Sequence, residues 1–333
     1  MKPEPGRAGD RGVTVSVVAP CFNEEEALPL FLDALLPVLD GPGDPFEVIL
    51  VDDGSTDRTF EVIRSVAERR PEIRGIQLSR NFGHQAALTA GLDASRGEAV
   101  VTMDADLQHP PAVIPALLAA WREGAEVVLT ERRDRDRTPF LKRLTSAAFY
   151  RLLSRVSKID IRPGASDFRL LDRRVVRAFG RVRETHRLLR GLVLWSGFRQ
   201  ATVPFEVGER AAGTSKYDVR RMMNLALDGI FSFTTLPLRT AIGIGLATSA
   251  LALLYLLYAL GVHFLHPQLT VPGWTSILGA VLLIGGVQLT FLGILGEYVV
   301  RIYEQVKGRP LYLVRRTVPE DGPETDAPAG GTR

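Results

Sequence analysis

Thr240–Val262 and Trp274–Gly296, each 23 residues long, contain no charged side chain. As helices each measures about 34 Å, enough to cross a hydrocarbon core of about 30 Å with some tilt. Two such runs in succession are hard to enclose in a small soluble domain, where a helix normally keeps one polar face. The intervening His263–Gly273 has no Lys or Arg, whereas Arg239 precedes the first run and Arg301, Lys307, Arg309, Arg315 and Arg316 follow the second. Cytoplasmic flanks accumulate Lys and Arg. The sequence therefore predicts a multi-pass protein of the cytoplasmic membrane, spanning at 240–262 and 274–296, with both termini in the cytoplasm. The averages of 46% hydrophobic and 24% charged residues conceal this split.

The rest of the chain sorts around these spans. Residues 1–12 are polar and rich in Pro and Gly, which predicts a disordered N-terminus and no signal peptide. Residues 13–215 have the composition of a globular head that stays in the cytoplasm. Residues 216–239 mix Arg220, Arg221 and Asp228 with Met222, Met223, Leu225, Leu227, Ile230 and Phe231, the pattern of an amphipathic juxtamembrane segment. Residues 297–333 form a cytoplasmic C-terminal segment whose Pro/Gly/acidic end reads as a disordered tail. A formal net charge of +3 is too weak to argue for nucleic acid. The single cysteine, Cys21, excludes an internal disulfide and a Cys-based zinc site. It reads as a small strand-end residue rather than a nucleophile.

Within the head, short β-branched runs alternate with helical spacing. Strands are expected at Val13–Ala19, Phe46–Val51, Ile73–Leu78, Glu98–Met103 and Glu126–Thr130. Helices are expected at Ala27–Leu39, up to Ala67, from Gln85 to Ala94, and at Val113–Arg122. That alternation predicts an α/β fold with a mostly parallel sheet and helices on both faces. Ligands of such sheets sit at the carboxyl ends of the strands. Here the first, second and fourth strands all run into polar or acidic loops. The fourth ends in Asp104-Ala105-Asp106, and carboxylates two apart in an extended chain face the same side. Hard oxygens so placed suit Mg²⁺ or Mn²⁺, which binds few carboxylates and completes its shell with waters and substrate phosphates. Neither a Gly-x-Gly-x-x-Gly turn nor a Gly-x-x-x-x-Gly-Lys-Ser/Thr loop is present. Phosphates must then be held by metal and side chains.

Three loops, Pro20-Cys21-Phe22-Asn23-Glu24-Glu25, Val51-Asp52-Asp53-Gly54-Ser55-Thr56-Asp57 and Met103-Asp104-Ala105-Asp106-Leu107-Gln108, come in order and at matching spacing. Together they resemble the family 2 glycosyltransferases of GT-A fold. Asn81-Phe82-Gly83-His84, Ser166-Asp167-Phe168-Arg169, Gly213-Thr214-Ser215-Lys216-Tyr217 and Glu297–Leu311 narrow the resemblance to the polyprenyl-phosphate hexosyltransferases, the branch that holds bactoprenol glucosyltransferases and dolichol-phosphate mannose synthase. The resemblance covers about residues 13–316.

It implies that Pro20, Phe22, Glu24 and Asp53 form the base and ribose pocket. Asp104, Ala105 and Asp106 would hold the diphosphate and the metal, with Gln108 as a further metal ligand. Arg210 and Lys216 would fold over the donor phosphates. Lys142, Ser146 and Arg132 would hold the acceptor phosphate, and Asp167 would stand beside the reacting groups. The implied reaction moves a hexose from a nucleotide diphosphate sugar, UDP-glucose or similar, to polyprenyl (undecaprenyl) phosphate with inversion. The implied partners are that donor, that acceptor and the lipid bilayer, with no nucleic acid, and relatives imply a homo-tetramer packed through the membrane helices. The Gln-x-x-Arg-Trp pattern of processive synthases is absent, which points to one transfer per cycle.

Plainer readings stand beside these. Asp52 and Asp57 have the placement of turn and cap residues, with Ser55 or Asp57 heading the second helix. His109 simply opens the loop before Pro110-Pro111. The run from Glu131 to Arg137 is either a solvated loop or, next to a bilayer, a basic patch for anionic headgroups and a lipid phosphate. Rival functions are transfer to another lipid, such as diacylglycerol or ceramide, a silent nucleotide-sugar-binding scaffold, and a flippase or channel. The last is disfavoured because the spans carry no charge to build a pathway.

Overall fold

The structure, a computed structural model, describes residues 13–41, 43–132, 165–185, 187, 189–205, 236–265 and 273–320. The expectations for residues 1–12, for 216–235 of the juxtamembrane segment, for the tail beyond 320 and for Lys142, Ser146, Arg210 and Lys216 lie outside the described residues. Two compact units emerge. Of the described residues, the head gathers those from 13 to 132, from 165 to 205 and from 310 to 320; the second unit holds 236–265 and 273–309.

The parallel strands at the centre of the head follow from short β-branched runs. β1 (Val15–Cys21), β2 (Phe46–Asp52), β3 (Ile73–Leu78) and β4 (Ala99–Thr102) alternate with α1 (Ala27–Asp40), α2 (Thr59–Ala67) and α3 (His84–Ala94). A 3₁₀ turn over Pro111–Val113 leads into α4 (Ile114–Arg122), then β5 (Val127–Arg132). The described chain resumes with β6 (Ala165–Asp172), α5 (Arg173–Gly180), α6 (Leu189–Trp195) and β7 (Gln200–Phe205). β8 (Val314–Val318) comes last. The sheet order is β7-β5-β6-β4-β1-β2-β3-β8. Its centre, β4-β1-β2-β3, is parallel, and so is β5-β7, while β6 and β8 run antiparallel to their neighbours.

Side-chain alternation splits the core between the two faces. Val15, Val17 and Ala19 of β1 pack with Phe31, Phe60, Ile63 and Leu117 on the side of α1, α2 and α4. Val18, Ile49 and Val51 pack with Leu88, Val175, Phe179 and Leu192 on the side of α3, α5 and α6. All of these residues are under 5% exposed, so central strands are apolar on both faces, as a doubly covered parallel sheet requires.

The second unit contains α7 (Leu236–Leu265, 30 residues) and α8 (Trp274–Val306, 33 residues), which pack against each other. Among the described residues one stretch, Leu283–Val306, is long and apolar enough to cross a membrane, with mean hydropathy 1.6 and 0% buried. Gly243–Tyr255 in α7 is a shorter apolar stretch. Two long helices thus occupy the positions of the two expected spans, and one stretch meets that length-and-composition test. The sequence predicts no strand beyond residue 310, only a C-terminal segment; in the structure β8 is the edge strand of the head's sheet.

Candidate active site

The register Cys21↔Asp52 brings the carboxyl ends of β1 and β2 level, and the loops that leave them are laced together. Asn23 donates its backbone N–H to Ser55 Oγ (2.9 Å) and accepts at Oδ1 from the N–H of Thr56 (2.9 Å). Glu24 N–H donates to Thr59 Oγ1 (2.9 Å), and Arg58 N–H to Glu25 Oε2 (3.0 Å). Asn23 holds φ 56° to make this fit, a left-handed conformation that Asn tolerates better than most residues. Asp52, fully buried, accepts from Ser55 N–H (2.9 Å), and Asp57 accepts from Thr59 N–H (3.0 Å) at the head of α2. Both are turn builders. Gly54 sits at φ +67° with its α-carbon against the Arg80–Asn81 backbone, where a Cβ would lie 2.7 Å from Asn81 N.

Asp53 reaches the other way. Its two oxygens accept from Phe82 N–H (2.8 Å) and Gly83 N–H (3.0 Å), fixing the start of α3 and so its first residue, His84. Burial raises the Asp53 pKa, partly countered by these two hydrogen bonds.

A cleft of about 440 Å³ opens above these strand ends. Of the residues singled out from sequence, Pro20, Phe22, Glu24, Asp53, Asp104, Ala105, Asp106 and Asp167 all line it. Asp167 comes from β6, whose Arg169 lies opposite Thr102 of β4, so the antiparallel neighbour carries it to the edge where the Asp104 loop begins. Asp167 is buried against Arg169, and Arg190 of α6 grips it with Nη2 on Oδ2 (2.8 Å) and Nε on Oδ1 (3.1 Å). Burial alone would raise its pKa; the Arg169 charge, with His84 and Arg190, holds it well below the usual carboxylate range.

His84 Nε2 stands 3.5 Å from Asp104 Oδ1 and 3.6 Å from Asp167 Oδ2. Burial opposes charge on His84, yet the nearby carboxylates of Asp167 and Asp104 outweigh it and raise its pKa. Asp104 is raised by burial, with the Asp167 and Asp106 charges adding to the effect and the two histidines opposing it. His109 lies behind this loop rather than in it. It is 7% exposed, stacks on Phe168 at 5.2 Å between centroids, and accepts the Asp104 N–H at Nδ1 (3.0 Å). Burial lowers its pKa, in keeping with a neutral ring that accepts at Nδ1. Leu107 adopts φ 63° to turn the loop back.

Asp104 and Asp106 offer hard oxygens, and like charge in a half-buried cleft is a deficit that a cation relieves. Gln108 donates its backbone N–H to Asp106 Oδ1 (3.1 Å) and its side-chain amide to Oδ2 (2.7 Å). Among the described residues no three His, Cys, Asp or Glu form a metal cage. That donor set fits a divalent ion that takes its remaining ligands from phosphates and water. Arg132 ends β5 opposite Phe205.

His84 and Arg190 had been given no role from sequence. His84 lay within the Asn81–His84 motif and was legible as a polar residue after a strand end. Arg190 offered no signal, because only the packing of α6 brings it to a carboxylate 23 residues earlier.

The model of the Glycosyl transferase family 2 matches residues 16–180. The chain is 41% identical to the "Uncharacterized glycosyltransferase YkcC" of Bacillus subtilis, over 92% of this chain and 95% of that protein. It is 41% identical to the "Uncharacterized glycosyltransferase sll0501" of Synechocystis, over 91% and 95%. It is 39% identical to the "SfII prophage-derived bactoprenol glucosyl transferase" of Shigella flexneri, over 91% and 98%.

Proposed function

The chain belongs to glycosyltransferase family 2, and from that premise we propose that it transfers a hexose from a nucleotide diphosphate sugar to a polyprenyl phosphate at a membrane surface. The observation that carries the reading is the single cleft that gathers the base-pocket candidates and three carboxylates at the ends of β1, β2, β4 and β6. The acceptor class is supported by the bactoprenol glucosyl transferase of Shigella, which aligns over nearly its whole length. A glucosyl donor is the choice that this relative's name favours, and UDP is the carrier taken in this reading.

In this reading Phe22, which is 44% exposed, offers its ring to the base. Asp53 keeps a second lone pair on each oxygen for the ribose while its first pairs hold the Phe82–Gly83 loop. Asp104 and Asp106, with Gln108 beside them, would hold Mg²⁺ or Mn²⁺, which supplies charge neutralisation for the departing diphosphate. Arg210 and Lys216 are assigned to the same phosphates. Arg132, Lys142 and Ser146 are assigned to the acceptor phosphate. That phosphate has a second pKa of about 6 and arrives largely ionised, so the chain need not supply a strong base. Asp167, clamped by two arginines, keeps its charge and orients what lies before it, and His84 spans the gap between it and Asp104. Direct displacement, the route that the family resemblance implies, gives inversion, and the absence of the Gln-x-x-Arg-Trp pattern supports one transfer per cycle.

The lipid tail of the acceptor cannot leave the bilayer, so the cleft has to work near it. Helices α7 and α8 are read as two spans with a short outside loop and both flanks in the cytoplasm. Their outward apolar side chains, such as Leu251 (68% exposed) and Leu289 (71%), support that reading. Packing of these helices into a tetramer belongs to the same reading. The deciding assay uses the full chain in detergent with undecaprenyl phosphate, Mg²⁺ or Mn²⁺ and labelled nucleotide sugars. Metal-dependent label in the lipid phase from one donor is expected. No label from any donor, while UDP still binds, would overturn the transfer to this acceptor, and diacylglycerol or ceramide would then be tried.

A further inference from the structure

A buried carboxylate and a buried amide lie side by side across the head's sheet, and a residue from the far end of the chain completes the row. Asp52 of β2 pairs with Gln77 of β3, and Gln77 with Arg316 of β8. Cross-strand partners point to the same face, so the three side chains form one lateral line. Asp52 is 0% exposed and Gln77 is 8% exposed. Polar groups this buried need partners, and each finds them along the line. Arg316 Nε donates to Gln77 Oε1 (2.8 Å), and Gln77 Nε2 donates to Asp52 Oδ2 (2.8 Å). Asp52 Oδ1 then takes the N–H of Ser55 (2.9 Å), whose Oγ takes the N–H of Asn23 (2.9 Å). Asn23 lies between Phe22 and Glu24, which line the cleft.

The amide of Gln77 has a donor end and an acceptor end, and turning it over would aim oxygen at the Asp52 carboxylate. Arg316 occupies the oxygen end and leaves only one orientation open. Its guanidinium also lies 4.3 Å over the Phe60 ring, which holds the side chain in place from the first turn of α2.

We infer that Arg316 is a positioning residue for the nucleotide-binding turn 52–57, acting through Gln77 and Asp52, so that the strand following the last helix is a working part of the donor site. The link from Arg316 to the turn stands on the geometry alone; its consequence for nucleotide affinity rests on the donor reading given above. Both are measured on the full chain in detergent.

Arg316→Met keeps the apolar stem over Phe60 and removes the guanidinium. Hydrogen exchange read by mass spectrometry should then speed up at the amides of 53–57, roughly three- to tenfold, with the peptides of β1 and β4 unchanged. With Mn²⁺ present, UDP should bind about three- to tenfold more weakly. The donor KM should rise, with kcat at saturating donor and the acceptor KM unaltered. Arg316→Lys, which restores charge without the guanidinium's Nε–H, should fall between the two. Gln77→Met combined with Arg316→Met should cost no more UDP affinity than Gln77→Met alone, because the two act in series. Exchange and UDP affinity both equal to wild type in folded Arg316→Met would overturn the inference, as would a fall in melting temperature with turn exchange unchanged. If the wild-type chain binds no UDP, the donor reading fails, and the exchange comparison still decides whether Arg316 orders the turn.

Discussion

The two sides of the cleft use carboxylates in opposite ways. On the side of β1 and β2, Asp52, Asp53 and Asp57 accept backbone N–H groups and shape turns. On the side of β4 and β6, Asp104 and Asp167 face basic side chains: His84 stands between them, and Arg169 and Arg190 hold Asp167. Burial raises the pKa of Asp53 on the first side and of Asp104 on the second, whereas on the second side the Arg169 charge, with His84 and Arg190, holds Asp167 well below its ordinary range. Carboxylates shape turns on the first side, Asp53 while also facing the cleft, and the second side holds those proposed for the metal and the chemistry. A residue's role here is set by what it faces, not by its type or its neighbours in sequence.

Substitutions that preserve shape while removing charge should separate the two sides. The largest effect is expected for Asp104→Asn, or Asp106→Asn, which should lower metal-dependent transfer by about 10³-fold or more while leaving the fold intact. A transfer assay paired with thermal unfolding reads both, and full activity of either variant with metal present would remove the metal assignment. Asp167→Asn leaves Arg169, with a side chain 3% exposed, without its counter-charge. It should cost about 3–5 kcal/mol of stability by chemical denaturation.

Gly54→Ala tests the turn-building side. A Cβ at φ +67° would meet the Arg80–Asn81 backbone, and a loss of about 2 kcal/mol is expected, with weaker UDP binding. The smallest effect is assigned to Asp57→Ala. Removing the acceptor for Thr59 N–H should cost about 1 kcal/mol in thermal unfolding and leave kcat unchanged. A change in kcat for Asp57→Ala would move that residue to the chemical side.

The parts of this arrangement that depend on local pattern were legible in the sequence. Ile73–Leu78 is a strand with the boundaries expected, and the loops after β1, β2 and β4 converge because a parallel sheet puts its carboxyl ends on one side. The i, i+2 spacing drew attention to Asp104 and Asp106, although its premise of an extended chain does not hold: β4 ends at Thr102, and Ala105 and Asp106 lie in a turn. Residues joined by packing alone were not legible. Arg190 of α6 meets Asp167 of β6 across 23 positions, a contact that exists only in the folded head, and His109 is a support behind the loop rather than its first residue alone. Most hidden of all was β8, since Val-Arg-Arg-Thr-Val after two apolar helices looks like a basic flank. Nothing local says that it pairs with Ile73–Leu78.

That pairing has a consequence in time. Gln77 and Arg316 are 239 positions apart. At synthesis rates of about 5–20 residues per second, β3 waits roughly 10–50 s for the strand that covers it. Until then its N–H and C=O groups form an open ladder that any extended chain could join. The head therefore finishes its sheet after both long helices have been translated, and a ribosome that stalls within α8 releases a head with one edge still adhesive.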